Sequence, residues 1–174
     1  MRIGITGTPG AGKTTAAKAL AHVLGYVYLD VRQLIDDKKW FYVRRGDREK
    51  TVYLTKLKKG LSYRLKKYDD VVLDSHLLCE FYLPVDVMVV LRCEPEQLRK
   101  RLAKRKYAKP KTEDNVLAEA LDYCLVRAES VYPKVVQVDA TNPVTVGALW
   151  DKIRQGRADA ADWSEWLARH AGRI

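Results

Sequence analysis

Gly7-Thr8-Pro9-Gly10-Ala11-Gly12-Lys13-Thr14 sets three glycines, one lysine and a terminal hydroxyl at the spacing that cradles a polyphosphate. A phosphate chain leaving water must find many donors at once. Glycines let the backbone turn tightly enough to aim successive N–H groups inward. A helix starting at Thr14 would point the positive end of its dipole at the same spot. Lys13 can then reach β- and γ-phosphates, and the Thr14 hydroxyl can ligate Mg²⁺. Thr15 adds a further hydroxyl and N–H. The expected phosphate-binding set is therefore Gly7, Gly10, Ala11, Gly12, Lys13, Thr14 and Thr15, and the expected ligand is ATP with Mg²⁺.

Asp74 closes the apolar run Asp70-Val71-Val72-Leu73-Asp74. Ligands of open α/β sheets bind beyond the carboxyl ends of strands, where an acid can hold the metal of a nucleotide. A strand-ending Asp can also merely cap a turn; the glycine-rich loop favours the metal role. His76 follows two positions on and could order a water or polarise a transferred phosphoryl group.

The elements that must position these residues can be read from the pattern. Ile3-Gly4-Ile5-Thr6 is a short buried strand leading into the glycine-rich turn, and Thr14 to Leu24 is a helix stopped at Gly25. Tyr26–Leu29, Asp70–Asp74, Asp86–Arg92 and Val135–Asp139 complete five strands, the middle two nearly all apolar, as strands covered on both faces should be. Residues 31–68 are polar and helical in character, with an irregular middle near Arg44-Arg45-Gly46-Asp47. Pro95 opens a helix, the pattern breaks at 105–112, and one long helix is expected from about Glu113 to Val131. Asn142 is expected to cap a helix whose first residue is Pro143. A final amphipathic helix carries Trp163, Trp166 and Leu167, with the tryptophans packed rather than displayed. Strands alternating with helices predict an α/β P-loop NTPase fold of the nucleoside monophosphate kinase type: a five-stranded parallel sheet, helices on both faces and a short lid, in one domain over 1–174.

Length and composition bound the rest. A chain of 174 residues, 47% hydrophobic and 31% charged, suits one globular domain with a real core. No apolar run approaches the roughly 20 residues needed to span a bilayer, and Arg2 is followed by too short an apolar stretch for a leader, so a cytoplasmic protein without membrane contact is expected. Cys79, Cys93 and Cys124 match no metal or redox spacing and are expected to be reduced and partly buried. The net charge of +10 points to an anionic partner, nucleotide or RNA. Residues 92–111 hold nine Lys or Arg, and residues 30–70 hold thirteen basic against seven acidic side chains, so two basic segments flank the phosphate site.

Gly-Thr-Pro-Gly-Ala-Gly-Lys-Thr-Thr at 7–15, Val72-Leu73-Asp74-Ser75-His76, and Arg105-Lys106-Tyr107 followed by Thr112-Glu113-Asp114-Asn115 together resemble the adenylate kinase isoenzyme 6 family, also called the coilin-interacting nuclear ATPase family, in its archaeal form. The likeness covers residues 1–130 in order. It implies a nucleoside monophosphate kinase fold, Mg·ATP-dependent transfer to AMP with some hydrolysis, and a part in maturing the small ribosomal subunit and its 16S/18S rRNA through a platform ribosomal protein. It implies that Gly10, Gly12, Lys13, Thr14 and Thr15 bind ATP, that Asp74 serves the metal, that His76 supports hydrolysis, and that Arg105 reaches the nucleotide from a lid at about 104–114. The chain departs from standard adenylate kinases, which follow the third-strand acid with a Gly-aromatic-Pro-Arg stretch; here Ser75-His76-Leu77-Leu78 stands in its place. The acceptor arm, about 30–53, is more basic than the family pattern. Arg32, Arg44, Arg45 and Arg48 are equal candidates for the AMP phosphate, and solvation or RNA contact would explain them as well. Three readings stay open: an adenylate-type kinase, a nucleotide-switched ribosome assembly factor, and a P-loop kinase for another small acceptor.

Overall fold

A computed structural model describes residues 1–44 and 50–170. Along the chain run β1 (Arg2–Thr6), α1 (Lys13–Leu24), β2 (Val27–Asp30), α2 (Val31–Asp37), β3 (Phe41–Val43), β4 (Lys50–Val52) and α3 (Leu54–Leu65). Then come β5 (Val71–Asp74), a 3-10 turn at His76–Glu80, β6 (Val87–Arg92), α4 (Pro95–Lys104), α5 (Lys109–Ala120), α6 (Tyr123–Val131), β7 (Val135–Asp139), α7 (Val146–Gln155) and α8 (Ser164–His170). The main sheet has the order β2-β5-β1-β6-β7, every pair parallel. The chain therefore reverses direction of winding beside β1, and a ligand crevice is expected there, at the carboxyl ends of the strands.

The apolar strands divide their side chains between two cores. Ile3, Ile5, Val72, Val87, Val89, Leu91, Val136 and Val138 face α1, α4 and α7. Leu29, Val71, Leu73, Met88 and Val90 face α2, α3 and α6. This period-two division makes helix cover necessary on both faces and explains the near-continuous apolar runs.

Three expectations are corrected. Residues 31–68 are not all helix. Phe41–Val43 and Lys50–Val52 pair as an antiparallel hairpin, fastened by a Tyr42–Tyr53 ring contact at 5.2 Å and by Lys50 over the Phe41 ring at 4.1 Å. Strand-favouring side chains and cross-strand contacts outweigh the polar surroundings here. The segment 113–131 is two helices. Lys109 already begins α5, because Pro110 fits a first turn that lacks N–H partners anyway. That helix stops at Ala120, and Asp122 adopts φ 57°, a left-handed conformation that Asp tolerates better than most residues. Finally, Thr145 rather than Asn142 caps α7, its hydroxyl accepting from the Ala148 N–H at 3.2 Å. Residues 140–141 are pinned as loop: Arg101 Nη2 donates to the carbonyls of Ala140 (2.9 Å) and Thr141 (2.8 Å), and Thr141 Oγ1 accepts from the Glu94 N–H.

The three cysteines are free, as expected, but buried rather than partly buried, and Trp166 packs on Val116 and Ala120 of α5, as expected. No helix among the described residues is long and apolar enough to cross a membrane.

Gly60 of α3 lies against Trp40, and a Cβ there would stand 1.9 Å from the indole ring. Gly60→Ala is expected to cost about 1–2 kcal/mol, overpacking outweighing the roughly 1 kcal/mol gain in helix propensity. A denaturant titration checks this; a variant as stable as the wild type would mean that Trp40 moves freely.

Candidate functional site

The glycine-rich loop joins β1 to α1. Gly7 has φ 132°, and a Cβ on it would lie 2.3 Å from the carbonyl oxygen of Leu91, so no other residue fits. Gly12 is the N-cap of α1 at φ 102° and offers no side chain to the first turn. The first-turn N–H groups are thus left for a ligand, and no acidic residue sits in that turn to compete with an anion.

Lys13 is 8% exposed, and its ammonium donates to the carbonyls of Gly7 (2.8 Å) and Thr8 (3.1 Å). Burial pushes its pKa below the ordinary lysine value, against the opposite pull of Cys124, Asp74 and Glu119. Thr14 is open to the cleft, and its hydroxyl donates to Asp74 Oδ2 at 2.8 Å. The Tyr28 hydroxyl donates to the other carboxylate oxygen at 2.6 Å, and burial with this bond raises the phenol pKa. Two hard oxygen donors, one charged, at the mouth of the loop match what Mg²⁺ takes from a protein when most of its shell is water and phosphate.

His76 opens the 3-10 turn. Its carbonyl accepts from Thr6 Oγ1 at 3.4 Å and from Cys79 Sγ at 3.1 Å, which fixes the main chain, while the residue keeps one side open to solvent. The surrounding protein and the Lys13 ammonium lower its pKa toward about 4, so the ring is neutral at pH 7.

A cavity of about 270 Å³ lies beside the loop, walled by Gly10, Gly12, Thr15, Arg101, Arg105 and the segment 140–144. Arg105 is the C-cap of α4, and residues 105–108 are all that joins α4 to α5; the expected lid at 104–114 is this turn plus the start of a helix. The structure thus brings Gly7, Gly10, Ala11, Gly12, Lys13, Thr14, Thr15, Asp74, His76 and Arg105 to one end of the sheet. Arg32 and Arg44 are exposed, and Arg45 and Arg48 lie outside the described residues.

Several contributors escaped the sequence reading. Tyr28 and Arg101 gave no local signal. Glu119 did: a carboxylate next to Val116 and Ala120 on the apolar side of a helix, 1% exposed. Its Oε2 accepts from the Thr8 hydroxyl at 2.5 Å, and Oε1 accepts from Arg92 Nε (2.7 Å), the Cys93 N–H (3.1 Å) and Trp163 Nε1 (3.3 Å).

The topology and the loop define a P-loop kinase fold. Deoxyadenosine kinase from M. mycoides superposes with a TM-score of 0.61 at 17% identity, covering 88% of this chain and 100% of that one. A shikimate kinase from Aquifex aeolicus gives 0.61 at 16%, over 89% and 97%. The family model described as AAA domain matches residues 3–122. The Pyrococcus abyssi protein named "Putative adenylate kinase" is 39% identical over 172 residues, 95% of this chain and 92% of the relative. Its namesake from Methanocaldococcus jannaschii is 36% identical over 172 residues, covering 95% and 94%. The chain belongs to this family of archaeal P-loop proteins.

Proposed function

We propose that the protein is a Mg·ATP-dependent nucleoside monophosphate kinase catalysing ATP + AMP = 2 ADP, with hydrolysis as a side reaction, and an adenylate kinase isoenzyme 6-type member of its family. The observation that carries this reading is the Lys13–Thr14–Asp74 arrangement at the uncapped start of α1, beside a cavity bounded by Arg105. The names of the relatives agree with it. All of 1–174 acts as one unit, with 30–53 as acceptor arm and 104–114 as lid.

The loop N–H groups and the α1 dipole bind the phosphates of ATP. Two of the three N–H bonds of Lys13 are committed to Gly7 and Thr8, and the third would serve the β/γ-oxygens. Thr14 and Asp74 would hold Mg²⁺, which when bound neutralises phosphate charge. Gly10, Thr15 and the 140–144 loop, braced by Arg101, would receive the base, in a cavity just below the roughly 300–1,000 Å³ of small-ligand sites. Arg105 adds positive charge as the phosphoryl group moves and closes the cleft against water. Water that does enter is oriented by the neutral His76 ring, which would make hydrolysis and transfer two outcomes of one site.

His76→Gly is expected to lower hydrolysis by about 10-fold or more with ATP affinity within about twofold, since a positioned acid–base group contributes at least that much. Because the histidine pKa is lowered, the neutral form persists above it, and the wild-type rate should show no inflection from His76 between pH 6 and 8. An unchanged hydrolysis rate in the variant removes His76 from the mechanism.

A second reading, a nucleotide-switched assembly factor that touches a platform ribosomal protein or small-subunit rRNA in the cytoplasm, is favoured by the exposed lysines Lys56, Lys58, Lys59, Lys66 and Lys67 on and after α3. One assay separates the two. ADP formation from Mg·ATP is measured alone and with AMP, CMP, GMP or UMP. Stimulation by AMP supports the kinase; equal rates throughout support the switch.

A further inference from the structure

Glu119 is a charged side chain with no place in the scheme above, yet it is buried and each of its carboxylate oxygens is bonded. Its four donors come from three separate places: Thr8 in the phosphate loop, Arg92 at the end of β6 with the Cys93 N–H just after it, and Trp163 in the segment before α8. Arg92 carries the connection further. It donates to the Glu119 carbonyl (3.2 Å), to Gln137 Oε1 of β7 (2.9 Å) and to the carboxylate of Asp122, the left-handed residue between α5 and α6, and its guanidinium lies 5.7 Å from the centre of the Trp163 ring. Thr8 is the far end of this chain. Its carbonyl is one of the two that hold Lys13, and its hydroxyl is held by Glu119.

Two facts give this a mechanical consequence. Glu119 sits near the end of α5, whose start adjoins the turn bearing Arg105. Thr8 lies between Gly7 and the tight turn closed by the Ala11 N–H on the Thr8 carbonyl at 3.1 Å. We propose that Glu119 is a positioning residue that ties the phosphate loop, through the Thr8 hydroxyl, to the α5 helix of the lid. On this account, the aim of Lys13 and the placement of Arg105 are set by one rigid connection. The inference rests on the kinase reading for its kinetic effect but not for its spectroscopic one. This geometry matters most in the transition state, where sub-ångström misplacement of donors costs rate rather than binding. Trp163 Nε1 donates to the same Glu119 oxygen, Oε1, as Arg92 Nε and so reports movement of that carboxylate.

The test removes one hydroxyl without disturbing the buried ion pair. In Thr8→Val the hydrogen bond to Glu119 is lost at nearly constant volume; in Thr8→Ser it is restored. We expect Thr8→Val to lower kcat for ADP formation with AMP by about 10- to 100-fold while KM for ATP changes less than about threefold, the split that follows loss of an interaction made in the transition state. Thr8→Ser should recover most of that loss. Independently, Mg·ATP without acceptor should change the emission of the wild type. The change should vanish in Trp163→Phe, shrink in Thr8→Val, and return in Thr8→Ser. Wild-type protein without AMP-dependent turnover but with this fluorescence pattern refutes the kinase reading and leaves the connection standing. The connection is overturned by a Thr8→Val enzyme within twofold of wild-type kcat, by a Thr8→Ser enzyme as impaired as Thr8→Val, or by an emission change indifferent to Trp163 or to Thr8.

Discussion

Lys13→Met is expected to lower both phosphoryl transfer and hydrolysis by about 10³-fold or more while the protein stays folded. Loss of one neutral oxyanion donor typically costs 10²–10³-fold, and an ammonium ion on a migrating phosphoryl group contributes more than a neutral donor does. The methionine retains the apolar stem that fills the loop. Survival of the fold follows from the nature of the site. The buried ammonium is a cost to the folded state, as its lowered pKa indicates, and of the two carbonyls that it satisfies the one of Thr8 keeps the Ala11 N–H as a donor. A steady-state assay and a thermal melt on the same sample check both halves. Turnover within 10-fold of wild type would show that the phosphates are held elsewhere.

Arg92→Met is expected to act on stability instead. Arg92 and Glu119 are each 1% exposed, 2.7 Å apart, and form the one cation–carboxylate pair among the described residues in which both partners are so fully buried. Burial alone would lower the arginine pKa; Glu119 and Asp122 outweigh it and raise it. Removing the cation leaves the carboxylate uncompensated, which costs about 3–5 kcal/mol. In a chain of this size each kcal/mol moves Tm by roughly 2–4 °C, so a fall of about 10 °C is expected. Pairing the change with Glu119→Leu should recover part of it, because the unpaired charge is gone while the buried Thr8 hydroxyl and Cys93 N–H lose their Glu119 acceptor. Melts of the single and double variants test this. A single variant within 2 °C of wild type would mean that water already reaches Glu119.

The parts of the site that were legible in the sequence are those contiguous in it. Residues 7–15 carry loop, lysine and hydroxyls together, and Asp74 is marked by the apolar strand it ends. The five parallel strands were legible because two-sided burial leaves them uniformly apolar. What was not legible depends on long-range partners. Thr8 and Glu119 are 111 residues apart, Tyr28 and Asp74 are 46 apart, and Arg101 reaches a loop 39 and 40 residues on. The break at Asp122 belongs to the same class. Apolar periodicity runs through 113–131 without interruption, and a left-handed aspartate becomes favourable when Arg92 stands opposite to receive its carboxylate. The hairpin at 41–52 was hidden by the charged residues between its strands.

The central claim is that the amides of the first turn of α1 and the Lys13 ammonium are pre-aimed at a nucleotide polyphosphate. Calorimetric titration of ATP with Mg²⁺ into the wild-type chain tests this most directly. The account predicts saturable heat with one nucleotide per chain, weakened strongly by Lys13→Met. A flat titration of the wild type would contradict it.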